Sequence, residues 1–126
     1  MNSSRRRGTR QAQVLGALAL AIGGTAFYLR QRSRERYSFR HRVVVITGGS
    51  RGLGLELARL LAREGARLAL CARNLPVLHQ AAAELAHYGG EVLTIGCDLT
   101  RPEDAAVVAD AVAARWGKVD VLINNA

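Results

Sequence analysis

The chain has 126 residues, enough for one domain with a hydrophobic core but short for a complete two-layer enzyme of ordinary size. Its formal charge of +8 at pH 7 sits at one end: residues 1–42 hold ten arginines against one glutamate, and residues 43–126 hold 8 basic against 9 acidic residues. The domain therefore lacks the basic face that marks a nucleic-acid binder, and nucleic acid is not an expected partner.

Val14 to Leu29 reads VLGALALAIGGTAFYL, sixteen residues without a charge, with Arg5, Arg6, Arg7 and Arg10 before it and Arg30, Arg32, Arg34 and Arg36 after it. As a helix it spans about 24 Å at 1.5 Å per residue, short of the roughly 30 Å hydrocarbon core of a bilayer. Snorkelling arginines and the uncharged Gln11, Ala12 and Gln13 extend that reach, and Phe27, Tyr28 and Tyr37 suit the interfacial belt. The segment is apolar all round, which disfavours a helix lying in the plane of the interface. The expectation is a single-pass anchor at residues 14–29 that contacts the lipid bilayer, between a basic tail at 1–13 and an arginine-rich linker at 30–41.

Three rivals are weaker. A cleaved secretory signal would use Gly24-Thr25-Ala26 as its small-residue site, but the arginines just after it oppose translocation. Ser4-Arg5-Arg6 resembles a twin-arginine export signal, yet Gly8 and Thr9 stand where apolar residues belong. A buried soluble helix would need cover on every side, and nothing nearby supplies it. Six arginines from Arg30 to Arg42 follow the segment and four precede it, which places the domain on the cytoplasmic side of the membrane, with export as the alternative.

From Arg42 onward strand and helix patterns alternate. Val43–Thr47 is an apolar, β-branched run that ends in the glycine-rich turn Gly48-Gly49-Ser50-Arg51-Gly52-Leu53-Gly54. A helix is expected from about Leu53 to Glu64, with Leu53, Leu57, Leu60 and Leu61 on one face and Gly65 just past its end. Arg67–Cys71 reads as the second strand, and Asn74 caps a helix that carries Pro76 in its first turn and runs to about Tyr88. Val92–Cys97 reads as the third strand. Thr100-Arg101-Pro102-Glu103 has the spacing of a capping box for a helix that ends at Trp116-Gly117, and Val119–Ile123 is the fourth strand. This order predicts an α/β domain: a parallel sheet, helices on both faces, and an open hydrophobic edge at the fourth strand.

Ligands of such sheets bind beyond the carboxyl ends of the strands. A buried strand that delivers glycines and then a helix N-terminus is what a pyrophosphate needs: Gly48 tightens the turn, Gly52 admits the phosphates, and Gly54 lets helix and strand pack closely. The second strand ends in Ala72-Arg73, with no acid between Arg67 and Glu84. A carboxylate there would bond the adenosine 2′-hydroxyl, whereas Arg73, helped by Arg51, can fork onto a 2′-phosphate, which favours NADP(H) over NAD. The bland alternative is a solvated loop arginine. Asp98 at the third strand end is placed to accept from an adenine amino group, and also to assist the following helix. Asn124 and Asn125 are costly after an apolar strand unless bonded, so one ties strands together while the other lines the cofactor site. Cys71 and Cys97 have neither CxxC spacing nor a histidine partner. They read as buried thiols of a reducing compartment, and no metal site is expected.

Thr47-Gly48-x-x-x-Gly52-x-Gly54, Ala72-Arg73-Asn74, Asp98-Leu99-Thr100 and Asn124-Asn125-Ala126 together resemble the short-chain dehydrogenase/reductase family over residues 42–126. The resemblance implies a Rossmann-type doubly wound sheet, truncated after its fourth strand, and hydride transfer between a nicotinamide and a carbonyl or alcohol carbon. It implies that Gly48, Ser50, Arg51 and Leu53 meet the pyrophosphate and ribose, with Gly52 and Gly54 shaping the turn. Arg73 would meet the 2′-phosphate, Asp98 and Leu99 the adenine, and Asn125 and Ala126 the nicotinamide ribose.

The family's serine and Tyr-x-x-x-Lys are missing: Tyr28, Tyr37 and Tyr88 are followed four residues later by Arg32, His41 and Val92, and Lys118 is the sole lysine. The expectation is the cofactor-binding part of a membrane-anchored NADP(H)-dependent oxidoreductase with no turnover of its own. A lipophilic substrate and a homo-oligomeric full-length form are compatible with it. The alternative is a truncated, non-catalytic NADP-binding or interaction protein.

Overall fold

The structure is a computed structural model that describes residues 4–32 and 37–126, with side chains from Gln13 to Arg30 and from Tyr37 onward. The expected charge contributions of Arg34 and Arg36 in the linker lie outside the described residues. The chain divides into two compact units, Met1–Tyr37 and Ser38–Ala126.

The first unit contains one helix among its described residues, α1 (Ser4–Arg32), longer than the anchor expected from the apolar run alone. Its window Gln13–Arg30 has a mean hydropathy of 1.3 over 18 residues and none of it is buried. At 1.5 Å per residue those 18 residues reach about 27 Å, so by length and composition the helix can cross a membrane.

The second unit contains β1 (Val43–Thr47), α2 (Gly52–Arg63), β2 (Arg67–Ala72), α3 (Leu75–Ala86), β3 (Val92–Gly96), α4 (Pro102–Trp116) and β4 (Val121–Asn124). The sheet is parallel with strand order β3-β2-β1-β4, and β1 pairs with β2 from Val43↔Arg67 to Thr47↔Cys71. Alternation along the strands feeds two cores. Val44, Ile46, Leu68 and Leu70 face Ala58, Leu61, Leu78 and Leu85 of α2 and α3. Val43, Val45, Ala69 and Cys71 face Val108 and Val112 of α4. A central strand covered on both faces must be apolar throughout, and all five residues of β1 are buried. β4 lies at the edge of the described sheet with Leu122 exposed, as the sequence led us to expect.

Two expectations are corrected. The face of α2 turned to the sheet is Gly54, Ala58, Leu61 and Ala62, while Leu53 and Leu60 are 67% and 55% exposed. Small residues win that face because α2 sits too close to the strands for leucines at its first turn: a Cβ on Gly54 would lie 2.3 Å from the Gly48 carbonyl oxygen. The capping box of α4 does not form either. Its N-cap is Arg101 without a side-chain cap bond, and the Thr100 hydroxyl donates instead to Asp98 Oδ1 at 2.7 Å.

Boundaries shift by a residue or two elsewhere. α3 stops at Ala86 rather than Tyr88, β3 at Gly96 rather than Cys97, and β4 starts at Val121 because Asp120 turns its carboxylate onto the Val43 N–H at 2.8 Å. Asn74 caps α3 as expected, accepting from the Val77 N–H at 3.2 Å. Packing begins before residue 42, since Phe39 lies against the first core and the His41 N–H donates to the Gly65 carbonyl at 2.8 Å.

Candidate functional site

The site lies where the four strands end. Gly48 leaves β1 with φ +67°, a conformation that suits glycine, and its N–H donates to the Cys71 carbonyl at 2.8 Å. That bond holds the turn against the end of β2. Arg51, in extended backbone, precedes α2 and makes no side-chain cap bond, and the first turn of α2 has no acidic residue. The free N–H groups and positive end of the helix dipole are therefore left for an anion. Gly52 has φ +56° with open space where a Cβ would be, as a turn that admits phosphate backbone-first requires.

Thr47 is the hub of the β1–β4 junction. Its hydroxyl donates to Asn124 Oδ1 at 3.0 Å and accepts from the N–H groups of Asn125 at 2.9 Å and Ala126 at 3.1 Å. Asn125 Nδ2 donates to the Gly48 carbonyl at 3.3 Å. Both asparagines thus serve the junction: Asn124 joins β4 to β1, and Asn125 joins β4 to the glycine turn. The two consecutive amides are paid for by these bonds, which is why they can follow an apolar strand.

At the other end of the cleft, Asp98 Oδ1 accepts from the Thr100 hydroxyl and from the Thr100 N–H at 3.1 Å. The Asp98 carboxyl is held below the ordinary carboxylate range, first by the Thr100 hydroxyl, then by the Thr100 N–H, and further by the charges of Arg73 and Arg101. An ionised acceptor is thereby kept at the strand end. Cys71 and Cys97 line the same cleft from below. Burial, with Cys97 beside it, pushes the Cys71 thiol up to about 12, and burial also raises Cys97. Both are inert thiols in this setting rather than nucleophiles. Among the described residues no group of three or more His, Cys, Asp or Glu is placed to hold a metal.

Together these residues border an open cleft of about 890 Å³. Of the residues singled out from the sequence, Gly48, Ser50, Arg51, Arg73, Asp98, Leu99, Asn124, Asn125 and Ala126 line it, so both asparagines border the cleft rather than one alone. Gly52, Leu53 and Gly54 do not: the first two are exposed at the start of α2, and Gly54 is buried beneath the turn. Sequence reasoning did not assign Thr47 its hub role, nor find Gly49, where a Cβ would come within 2.9 Å of Leu70 Cδ2. A polar residue closing a fully apolar strand was the available signal for Thr47.

The profile of the short chain dehydrogenase family matches residues 42–126. The chain belongs to that family. Dehydrogenase/reductase SDR family member 7B of Mus musculus is 39% identical over 121 residues, covering 92% of this chain and 38% of the relative. That match takes in most of the first 41 residues as well as the domain. Among solved structures, L-sorbose reductase of Gluconobacter frateurii, complexed with NADPH and L-sorbose, is 40% identical with a TM-score of 0.69 over 71% of this chain and 34% of that one. NAD+-bound xylitol dehydrogenase is 36% identical with a TM-score of 0.68, over 70% of this chain and 34% of that one. The chain spans less than two fifths of the length of these relatives. The Rossmann-type sheet is thus shared with enzymes that carry either nicotinamide cofactor.

Proposed function

We propose that this chain is the cofactor-binding part of an oxidoreductase that uses NADP(H) and is held to a membrane by α1. The cleft fits a dinucleotide: a glycine turn backed by a helix N-terminus at one place, an ionised acceptor at another, and a bonded asparagine junction between β1 and β4. In this reading the N–H groups around Gly48, Ser50, Arg51, Gly52 and Leu53 hold the pyrophosphate, and Gly54 lets the helix approach. Asp98 and Leu99 flank adenine, and Asn125 and Ala126 border the nicotinamide ribose. When bound, the cofactor supplies a hydride at nicotinamide C4 for exchange with a carbonyl or alcohol carbon.

The observation that carries the NADP(H) preference is Arg73. It lines the cleft just past β2, where a carboxylate would select the 2′-hydroxyl, and its charge is felt at Asp98 across the cleft. Arg51 lines the same cleft from the glycine turn, so two guanidinium groups are available to a 2′-phosphate. Membrane attachment is supported by the exposed apolar stretch Gln13–Arg30 of α1 and by the inclusion of most of that segment in the match to the mouse relative. The arginine excess after the apolar run 14–29 supports a cytoplasmic domain, and the anchor supports a lipophilic carbonyl or alcohol substrate. Residues 1–126 contain no Tyr-x-x-x-Lys, so this stretch alone is expected to bind cofactor without turning substrate over.

The test is direct binding of NADPH and NADH to the full chain in detergent micelles, followed by nucleotide fluorescence. NADPH is expected to bind at least about tenfold more tightly, the equivalent of about 1.4 kcal/mol from the added phosphate contacts. Equal affinity would overturn the 2′-phosphate reading, and failure of both to bind would overturn the cofactor reading.

A further inference from the structure

The loop between β3 and α4 is closed by a residue outside the cleft. Asp104, in the first turn of α4, sends Oδ2 back to the Asp98 N–H at 2.6 Å. A carboxylate at this third helical position ordinarily reaches the N-cap N–H of its own helix. Here it reaches six residues back, to the second residue beyond the end of β3. The Arg101 N–H donates to the Asp98 carbonyl at 2.9 Å, and the Thr100 N–H and hydroxyl donate to Asp98 Oδ1.

Asp98 is thus held on three sides: its N–H by Asp104, its carbonyl by Arg101 and one carboxylate oxygen by Thr100. Among the described residues its Oδ2 makes no hydrogen bond, and that oxygen is left for a ligand. The strand side is fixed as well, since the Cys97 N–H donates to the Ala72 carbonyl at 3.1 Å. α4 itself is rooted in the second core by Val108 and Val112.

We propose that Asp104 is a positioning residue for the adenine end of the cleft, acting through the Asp98 backbone without touching the ligand. The inference rests on the reading of Asp98 as the adenine acceptor. A short, charge-assisted bond from a core-anchored helix transmits the rigidity of α4 to the loop 98–100. It removes rotation about the Asp98 backbone that would swing its free oxygen away. Thr100 cannot do this alone, because it lies in the same loop and moves with it.

The experiment compares Asp104→Ala and Asp104→Asn in the full chain in detergent micelles, with two probes. The first is 2′,5′-ADP, which carries the adenine end, and the second is inorganic pyrophosphate, which the glycine turn would hold. Asp104→Ala is expected to weaken 2′,5′-ADP binding about tenfold, the scale of losing one charge-assisted hydrogen bond. Pyrophosphate affinity should stay unchanged. Asp104→Asn keeps an acceptor oxygen and should recover most of the 2′,5′-ADP affinity. The amide proton resonance of Asp98 should move upfield in Asp104→Ala, as the loss of a short N–H···O bond requires.

Unchanged 2′,5′-ADP affinity in Asp104→Ala, or equal loss for both probes, overturns the positioning role. Failure of the unaltered chain to bind 2′,5′-ADP overturns instead the assignment of the adenine end. The two failures are therefore distinguishable.

Discussion

Glycine occurs in both units of this chain with opposite meaning. At Gly16, Gly23 and Gly24 of α1 an added Cβ meets nothing within 4 Å, whereas at Gly54 it would lie 2.3 Å from the Gly48 carbonyl oxygen and 2.7 Å from Asn125 Nδ2. The apolar side chains divide in the same way. Leu20 and Ile22 of α1 are 79% and 70% exposed, while Val43, Val44 and Ile46 of β1 are fully buried. In the domain, sequence is constrained by neighbouring protein atoms. In the Gln13–Arg30 stretch of α1 every described side chain is exposed instead, and so apolar a stretch would suit lipid rather than water.

The comparison breaks most readily at glycine. Gly54→Val is expected to abolish NADPH binding and to cost the domain several kcal/mol, beyond the roughly 1–3 kcal/mol usual for overpacking, because backbone must move. Gly23→Val should leave cofactor affinity unchanged. Equal tolerance of the two in a binding titration and thermal melt would erase the distinction between the units.

Leu20→Arg probes the medium around α1. A central arginine costs a membrane helix about 2.5–3.5 kcal/mol, and an exposed position on a water-facing helix almost nothing. The substituted chain should be released from membranes by alkaline carbonate while the unaltered chain stays in the pellet. Equal retention would count against a lipid-facing α1.

A smaller effect is expected at the hub. Thr47→Val removes a hydroxyl that serves Asn124, Asn125 and Ala126, and should lower domain stability by about 1–3 kcal/mol, the scale of leaving buried polar groups unpaired. A melt shifted by less than a degree would remove Thr47 from that role. The mildest prediction concerns Cys71. The folded state holds its proton up to about 12, whereas the unfolded thiol loses it near 9.0, so this group makes stability fall as pH rises between those values. Alkylation of Cys71 should accordingly be slow at pH 8 in the folded chain and fast once it is unfolded. Rapid labelling of the folded chain would contradict its burial.

The domain was readable in the sequence wherever a single pattern governed the element. β1 follows from five consecutive apolar or β-branched residues, α3 from Asn74 and Pro76, and the order of elements from regular alternation. Reading failed where packing distance decides. Counting leucines in α2 selects a face with Leu53, Leu60 and Leu61, yet of these only Leu61 turns inward, beside Gly54, Ala58 and Ala62, because close approach to the strands at the first turn excludes larger residues there. It failed again where two local bonds compete. Thr100 satisfies Asp98 rather than capping α4, and Asp104, three residues into the helix, supplies the bond that orders the strand end. The cleft residues Gly48, Arg73 and Asp98 were legible because they sit at strand ends by chain order alone. Thr47 acts through hydrogen bonds to residues at the far end of the chain and Asp104 through one that crosses from its helix back to the strand end, and chain order does not display such pairings.

The central claim is that the domain is a nicotinamide cradle which selects the 2′-phosphate through Arg73. Its most direct test is the ratio of NADPH to NADH dissociation constants in the unaltered chain and in Arg73→Ala. The account predicts that the substitution weakens NADPH about tenfold or more, as expected for losing a charge-assisted phosphate contact, and leaves NADH within about twofold. An unchanged preference for NADPH in Arg73→Ala would contradict it.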